Sequence, residues 1–269
     1  MKNETVSYNY LEEFLYRIRS KGRYSFTYKE ALVAFDISEQ ALDQNLYRLK
    51  SKSAITSIRK GFYVIIPPEY SANGMLPVNL FIDDLMHSIN RDYYVALLTA
   101  AALYGAAHQQ PMEYFVVTGG PAIRAIRTNK LAINFMVKKQ WSLDDVLKKN
   151  TDAGYINVSS PELTALDLLY YSAKISLNRA FTVLQELTEE MEASKLLKTA
   201  KQYPQTAAIQ RLGYLLEREL KKEQLSASLL KALNGRNCYL TPLVAKRPKK
   251  GVTDHKWKIM VNSEVEGDL

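Results

Sequence analysis

Gln40, Gln44 and Arg48 recur every four residues, a spacing that stacks side chains on one face of a helix. Glutamine can bond an adenine edge, and arginine a guanine edge, through paired hydrogen bonds, so such a face suits base reading in a DNA groove. Arg59 and Lys60 precede Gly61. At the tip of a hairpin these two cations would reach phosphates or a minor groove. Glu39 and Asp43 lie on the same helical stretch and oppose a phosphate backbone. An ordinary interaction domain also has helices with a polar face, so both readings stay open at this point.

The flanking residues set out the elements needed to position that face. Thr27 and Glu30 stand three apart, as in a capping box, and start a helix whose Ala31, Leu32, Ala34 and Phe35 face inward. Asp36-Ile37-Ser38 breaks it, and Ser38 caps a second helix. There Leu42, Leu46 and Leu49 form one apolar stripe, while Gln40, Asp43, Gln44, Tyr47, Arg48 and Lys50 fall outside it. Ala54 to Ile58 and Phe62 to Ile66 read as two strands joined at Arg59-Lys60-Gly61, where glycine tolerates positive φ. An earlier helix over 10–19, with Leu11, Phe14, Leu15 and Ile18 on one face, would support this group. The order is that of a winged helix-turn-helix.

The search for other chemistry turns up little. His87, His108 and His255 have no metal-ligand spacing. Cys238 is the single cysteine, which excludes an intramolecular disulfide and suits a reducing cytosol. Asp83-Asp84 and Asp144-Asp145 read as charges at helix starts, the second pair behind a Ser142 cap. Gly119-Gly120 belongs to neither a dinucleotide fingerprint nor a P-loop. No acidic residue occurs between Pro121 and Trp141, which instead carries Arg124, Arg127, Lys130, Lys138 and Lys139. This is either a surface for an anionic partner or a solvated basic face. No catalytic residue, metal or cofactor is assigned.

The chain has 269 residues and a formal net charge of +8, with 47% hydrophobic and 24% charged residues. That composition is globular, and the length accommodates two domains. The start lacks the apolar core of a signal peptide, and Tyr93 to Ala107 is too short for a span of about 20 residues. A cytoplasmic protein without a membrane partner is expected. Residues 1–70 form the first expected domain and the Pro- and Gly-containing 71–77 a linker. A second domain covers 78–245, and a basic tail covers 246–269. Helices are expected over 78–90 and 93–107, and strands at Met112 to Thr118, Lys130 to Val137 and Tyr155 to Val158. Ser160-Pro161-Glu162 opens a helix. The pattern stays helical to about 232, and Gly213 in the helix 205–221 would let a neighbour approach closely. Tyr239 to Val244 is a candidate last strand, and six cations between Ala245 and Lys258 make a flexible phosphate-binding arm or a solubilising end. Trp257 favours some packing there. The expected class is α+β: an N-terminal winged helix-turn-helix, then a mostly helical C-terminal domain with a small β-sheet.

Gly61-Phe62-Tyr63-Val64, Ala101-Ala102-Leu103-Tyr104-Gly105, Tyr114 to Thr118 and the S-P-E-x-T-x-x-D-L-L run from Ser160 to Leu169 follow one another in this chain. Their order resembles the AbiEi antitoxins of bacterial abortive-infection systems, over about residues 8 to 240. The resemblance implies the antitoxin half of a type IV toxin–antitoxin pair. Its functional partner would be an AbiEii-like nucleotidyltransferase toxin, countered without a stable complex. It implies a winged helix that binds inverted repeats in its own promoter and represses the operon, and a C-terminal domain that carries the antitoxin activity. By position in the winged-helix pattern it places Gln40, Gln44, Asn45 and Arg48 at the groove, and Arg59 and Lys60 on the wing. A plain transcriptional regulator with a ligand- or protein-sensing C-terminal domain is the alternative.

Overall fold

The computed structural model describes residues 2–35, 37–107 and 112–265, and side chains from residue 10 onward. Asp36 and His108 lie outside the described residues. Among the described residues the architecture is mixed α+β, with ten α-helices and three sheets. The chain divides into two compact units. The first is Met1–Tyr93 with 122–134 and 148–157, and the second is 94–121, 135–147 and 158–269.

The first unit opens with α1 (Lys2–Ser20), β1 (Ser25–Thr27), α2 (Tyr28–Ala34) and α3 (Glu39–Ser51), followed by β2 (Ile55–Arg59) and β3 (Phe62–Ile65). Local chemistry accounts for these boundaries. The Thr27 hydroxyl accepts from the Glu30 N–H while the Glu30 carboxylate accepts from the Thr27 N–H, closing the capping box that starts α2. Ser38 accepts from the Ala41 N–H and starts α3. The three strands form an antiparallel sheet in the order β1-β3-β2, with Phe26 opposite Tyr63 and Thr56 opposite Val64. The core joins α1 (Leu11, Phe14, Leu15, Ile18) to the α3 stripe Leu42, Leu46 and Leu49. Phe14 packs edge-on against both Phe26 and Phe35, at centroid distances of 5.4 and 5.0 Å.

The interval read as one helix over 78–90 is shorter and preceded by a 3-10 turn: α4 is Ile82–Ser88. Asp83 and Asp84 stand in its first turn, but they do more than charge it. Asp84 accepts from Arg23 (3.2 Å) and Ser25 (2.6 Å), and Asp83 accepts from Tyr93 (2.8 Å).

The helix expected over 93–107 is split. Tyr93–Val95 is a strand, β4, and only Leu97–Leu103 is helical, as α5. Tyr-Tyr-Val is a β-branched and aromatic run that suits a strand, and the Ala/Leu pattern masked it. Next come β5 (Tyr114–Thr118), β6 (Ile126–Thr128), β7 (Leu131–Val137), β8 (Val146–Thr151) and β9 (Gly154–Ser159). They make a six-stranded sheet in the order β6-β7-β5-β4-β9-β8, larger than the small sheet expected. Val95 of β4 pairs in parallel with Val158 of β9.

The second unit is organised on α6 (Pro161–Tyr170), whose residues from Pro161 to Leu169 are all buried. Ser160 caps it through the Leu163 N–H, and Pro161 occupies its first turn. Around it come α7 (Leu177–Leu187), α8 (Ala193–Gln202), α9 (Thr206–Tyr214) and α10 (Glu223–Leu233). A π-helical turn, Leu215–Glu219, continues α9.

The basic tail is not a loose arm. β10 (Thr241–Pro242), β11 (Val252–Asp254) and β12 (Ile259–Val261) form a sheet in the order β10-β12-β11. Trp257, 1% exposed, lies against Gly213 in space that a Cβ there would occupy. The indole N–H donates to Glu217 at 2.7 Å, and Gln210 donates to the Trp257 carbonyl at 2.9 Å. Burial of a large indole in the second unit's core outweighs the tendency of the nearby cations to stay in water.

Candidate functional site

On α3 the apolar stripe faces the core, and Gln40, Gln44 and Arg48 are exposed, with Tyr47 73% exposed beside them. Asn45 departs from the expectation. It is 8% exposed because it stands three residues after Leu42 and four before Leu49, inside the buried stripe, so it does not share the outer face. At the hairpin tip Arg59 and Lys60 are exposed, and Gly61 has a φ of +75°, the left-handed conformation that glycine adopts without strain. Its carbonyl accepts from the Tyr28 N–H at 2.8 Å, which ties the tip to the start of α2. Lys50 Nζ lies 5.1 Å from the centre of the Tyr63 ring. Glu39 and Asp43 are also exposed on α3, so the outer face carries both signs of charge.

The basic run before Trp141 does not form one surface. Arg124, Arg127, Lys130 and Lys139 are exposed, and Arg127 donates to Asn134 Oδ1 at 3.0 Å. Lys138 is instead buried, with 5% of its surface exposed. Its N–H donates to the Thr118 carbonyl beside the end of β7, and its ammonium runs inward to Asp167 at 2.7 Å.

That ion pair is the centre of a buried polar cluster in the second unit. Asp167, fully buried in α6, accepts from Lys138, from the Tyr94 hydroxyl and from the Tyr203 hydroxyl, each at 2.7 Å. Burial, reinforced by the Asp167 charge, holds both tyrosine hydroxyls well above their ordinary pKa, so they remain donors. Lys138 Nζ also lies 4.2 Å from the centre of the Tyr203 ring. The carboxylate thereby gains the partners that a buried charge requires.

A cavity of about 200 Å³ opens beside the cluster. Trp141, Tyr203, Asp145, Gln140 and Gln202 are among its lining residues. Asp145 is 8% exposed and accepts from the Thr199 hydroxyl at 2.6 Å. Burial, above all, raises its pKa, and the nearby Glu162 and Asp144 charges add to the rise. Among the described residues no group of three His, Cys, Asp or Glu side chains could hold a metal, and no helix is long and apolar enough to cross a membrane.

Sequence reasoning had named Lys138 without its partner and left Tyr94 and Tyr203 unassigned. One signal was present: Asp167 is the one charge in the mostly apolar stretch from Leu163 to Leu169, and a charge in such a place needs a partner.

Comparison with known proteins bears on the stretch that holds this cluster. Residues 94–218 match the model of the AbiEi antitoxin C-terminal domain. No curated protein matches the chain. The crystal structure of the RV2827C protein from Mycobacterium tuberculosis superposes with a TM-score of 0.65, covering 94% of this chain and 90% of that one. At 16% identity that likeness shows the fold alone. The segment that holds Tyr94, Lys138, Asp145, Asp167 and Tyr203 is therefore similar to the C-terminal domain of AbiEi antitoxins.

Proposed function

We propose that this protein is an AbiEi-like antitoxin that binds its own promoter through residues 1–70 and counters a nucleotidyltransferase-like, AbiEii-type toxin through the C-terminal domain. The observation that carries the reading is the match of residues 94–218 to the antitoxin domain. In the first unit, the succession α2, α3, β2, β3 supports a winged helix-turn-helix. In this reading α3 enters a major groove of double-stranded DNA with Gln40, Gln44 and Arg48 towards base edges. Arg59 and Lys60 reach phosphates or the adjacent minor groove. Two copies on inverted repeats would repress the operon.

The test has two parts. The purified chain is titrated with its upstream DNA across a salt series, with a scrambled duplex as control. Tight binding to the native sequence alone, weakening steeply with salt, is the expected result. Equal, weak binding to both duplexes removes the repressor role. Independently, the full chain should restore growth to cells expressing the neighbouring toxin. Absence of rescue removes the antitoxin role while leaving DNA binding untouched.

A further inference from the structure

The cavity beside Asp167 presents an acceptor rather than a donor. Lys138 lines it, but its charge is matched by Asp167 at 2.7 Å. Lys198, the other nearby cation, bonds Asp144 at 2.8 Å. Asp145 is left without a bonded cation among the described residues. Thr199 donates to its Oδ1, and its Oδ2 accepts no hydrogen bond there. A carboxylate that is nine-tenths buried, has no bonded cation and opens one oxygen to a cavity can take a positive donor there. The charges of Glu162 and Asp144 act on it as well, so an anion is disfavoured.

The walls narrow the choice. Trp141 is partly exposed and held edge-on to Tyr94, with ring centres 5.3 Å apart. It offers an aromatic surface beside the carboxylate. The exposed side chains of Gln140 and Gln202 bring amide acceptors to the lining. A planar, weakly hydrated cation with several N–H donors satisfies all three features: it stacks on an indole, bonds a carboxylate and donates to amides. A compact ammonium also bonds a carboxylate, but it is more strongly hydrated and has no planar face to stack on the indole. We propose that this cavity binds a guanidinium group, with Asp145 as its anion and Trp141 as its stacking surface. The source is either an arginine side chain of a partner protein or a free small guanidine. The inference stands apart from DNA binding and from rescue of a toxin-expressing cell.

Titration calorimetry of the full chain with methylguanidinium chloride tests it, with ethylammonium and potassium chlorides as controls. Saturable binding of methylguanidinium is expected, with ethylammonium weaker by about tenfold or more, the scale of one charge-assisted contact. Asp145→Asn should weaken binding by about tenfold or more, and its amide oxygen can still accept from Thr199. Gln202→Lys changes an exposed side chain of the lining, puts a tethered cation beside the site, and should weaken binding in the same direction. If Asp145→Asn does not fold, Gln202→Lys decides. No saturable heat from methylguanidinium, equal affinity for ethylammonium, or wild-type affinity in the folded variants would overturn the proposal. An arginine-containing peptide that binds more tightly than methylguanidinium assigns the site to a protein side chain. Equal or weaker binding assigns it to a free small cation.

Discussion

Helix α3 carries Arg48 and Lys50 in its last turn and leaves both in solvent, whereas α6 encloses Glu162 and Asp167 completely. Exposed charges on a helix add little to stability, because water and salt screen them. They stay available to an outside partner. Charges inside α6 cannot be left unmatched. Glu162 accepts from the Glu192 N–H at 3.0 Å, and Asp167 gathers one ammonium and two hydroxyls. An exposed arginine therefore bears on what a region could bind. A buried aspartate bears first on how the second unit holds together.

Substitutions can break this contrast, beginning where the effect should be largest. Asp167→Ala strands the Lys138 ammonium among buried tyrosines, and chemical denaturation should show a loss of about 3–5 kcal/mol. Replacing both partners, Lys138→Met with Asp167→Leu, should recover much of it. If the double variant is no better than the single one, the pair is not the source of the penalty. Leu46→Ala empties a position that is 1% exposed in the first unit and should cost about 2–5 kcal/mol. A loss well under that range would mean that the α3 stripe repacks freely.

Gly213→Ala should cost about 1–3 kcal/mol by driving a methyl into Trp257. Trp fluorescence should shift as the indole moves, and an unchanged spectrum with unchanged stability would contradict the close approach. Arg48→Ala should weaken specific DNA binding by about 1–3 kcal/mol. Lys60→Ala should have the smallest effect, weakening binding to every sequence and lowering the salt slope by about 1. A stability loss in either of these last two, with DNA affinity intact, would reverse the contrast between the two helices.

Much of the local architecture was legible beforehand because its causes lie within a few residues. Thr27 with Glu30, Ser38 and Ser160 start helices where expected, since a cap bonds N–H groups two or three positions away. The Gly61 turn and the stripe of Leu42, Leu46 and Leu49 are local in the same sense. Gly213 within a helical run marks a close approach, but its neighbour, Trp257, lies 44 residues on and does not follow from it. The strand at Tyr93–Val95 was misjudged because the Ala/Leu run after it is a strong helical pattern, while the strand depends on pairing with β9, far along the chain.

The amino-acid sequence by itself therefore determined the helix starts, the hairpin turn and the apolar stripes, together with the cations that the hairpin displays. The spacing of Asn45 from Leu42 and Leu49 already placed it on the buried stripe, whereas only the tertiary structure decided that Lys138 leaves the basic surface. It also decided that the tail folds onto a sheet. The physical reason is separation along the chain. Asp167 meets Lys138 across 29 residues, Tyr203 across 36 and Tyr94 across 73. Nothing in a local window reports which distant donor a buried carboxylate will find, because that choice is made when the elements pack.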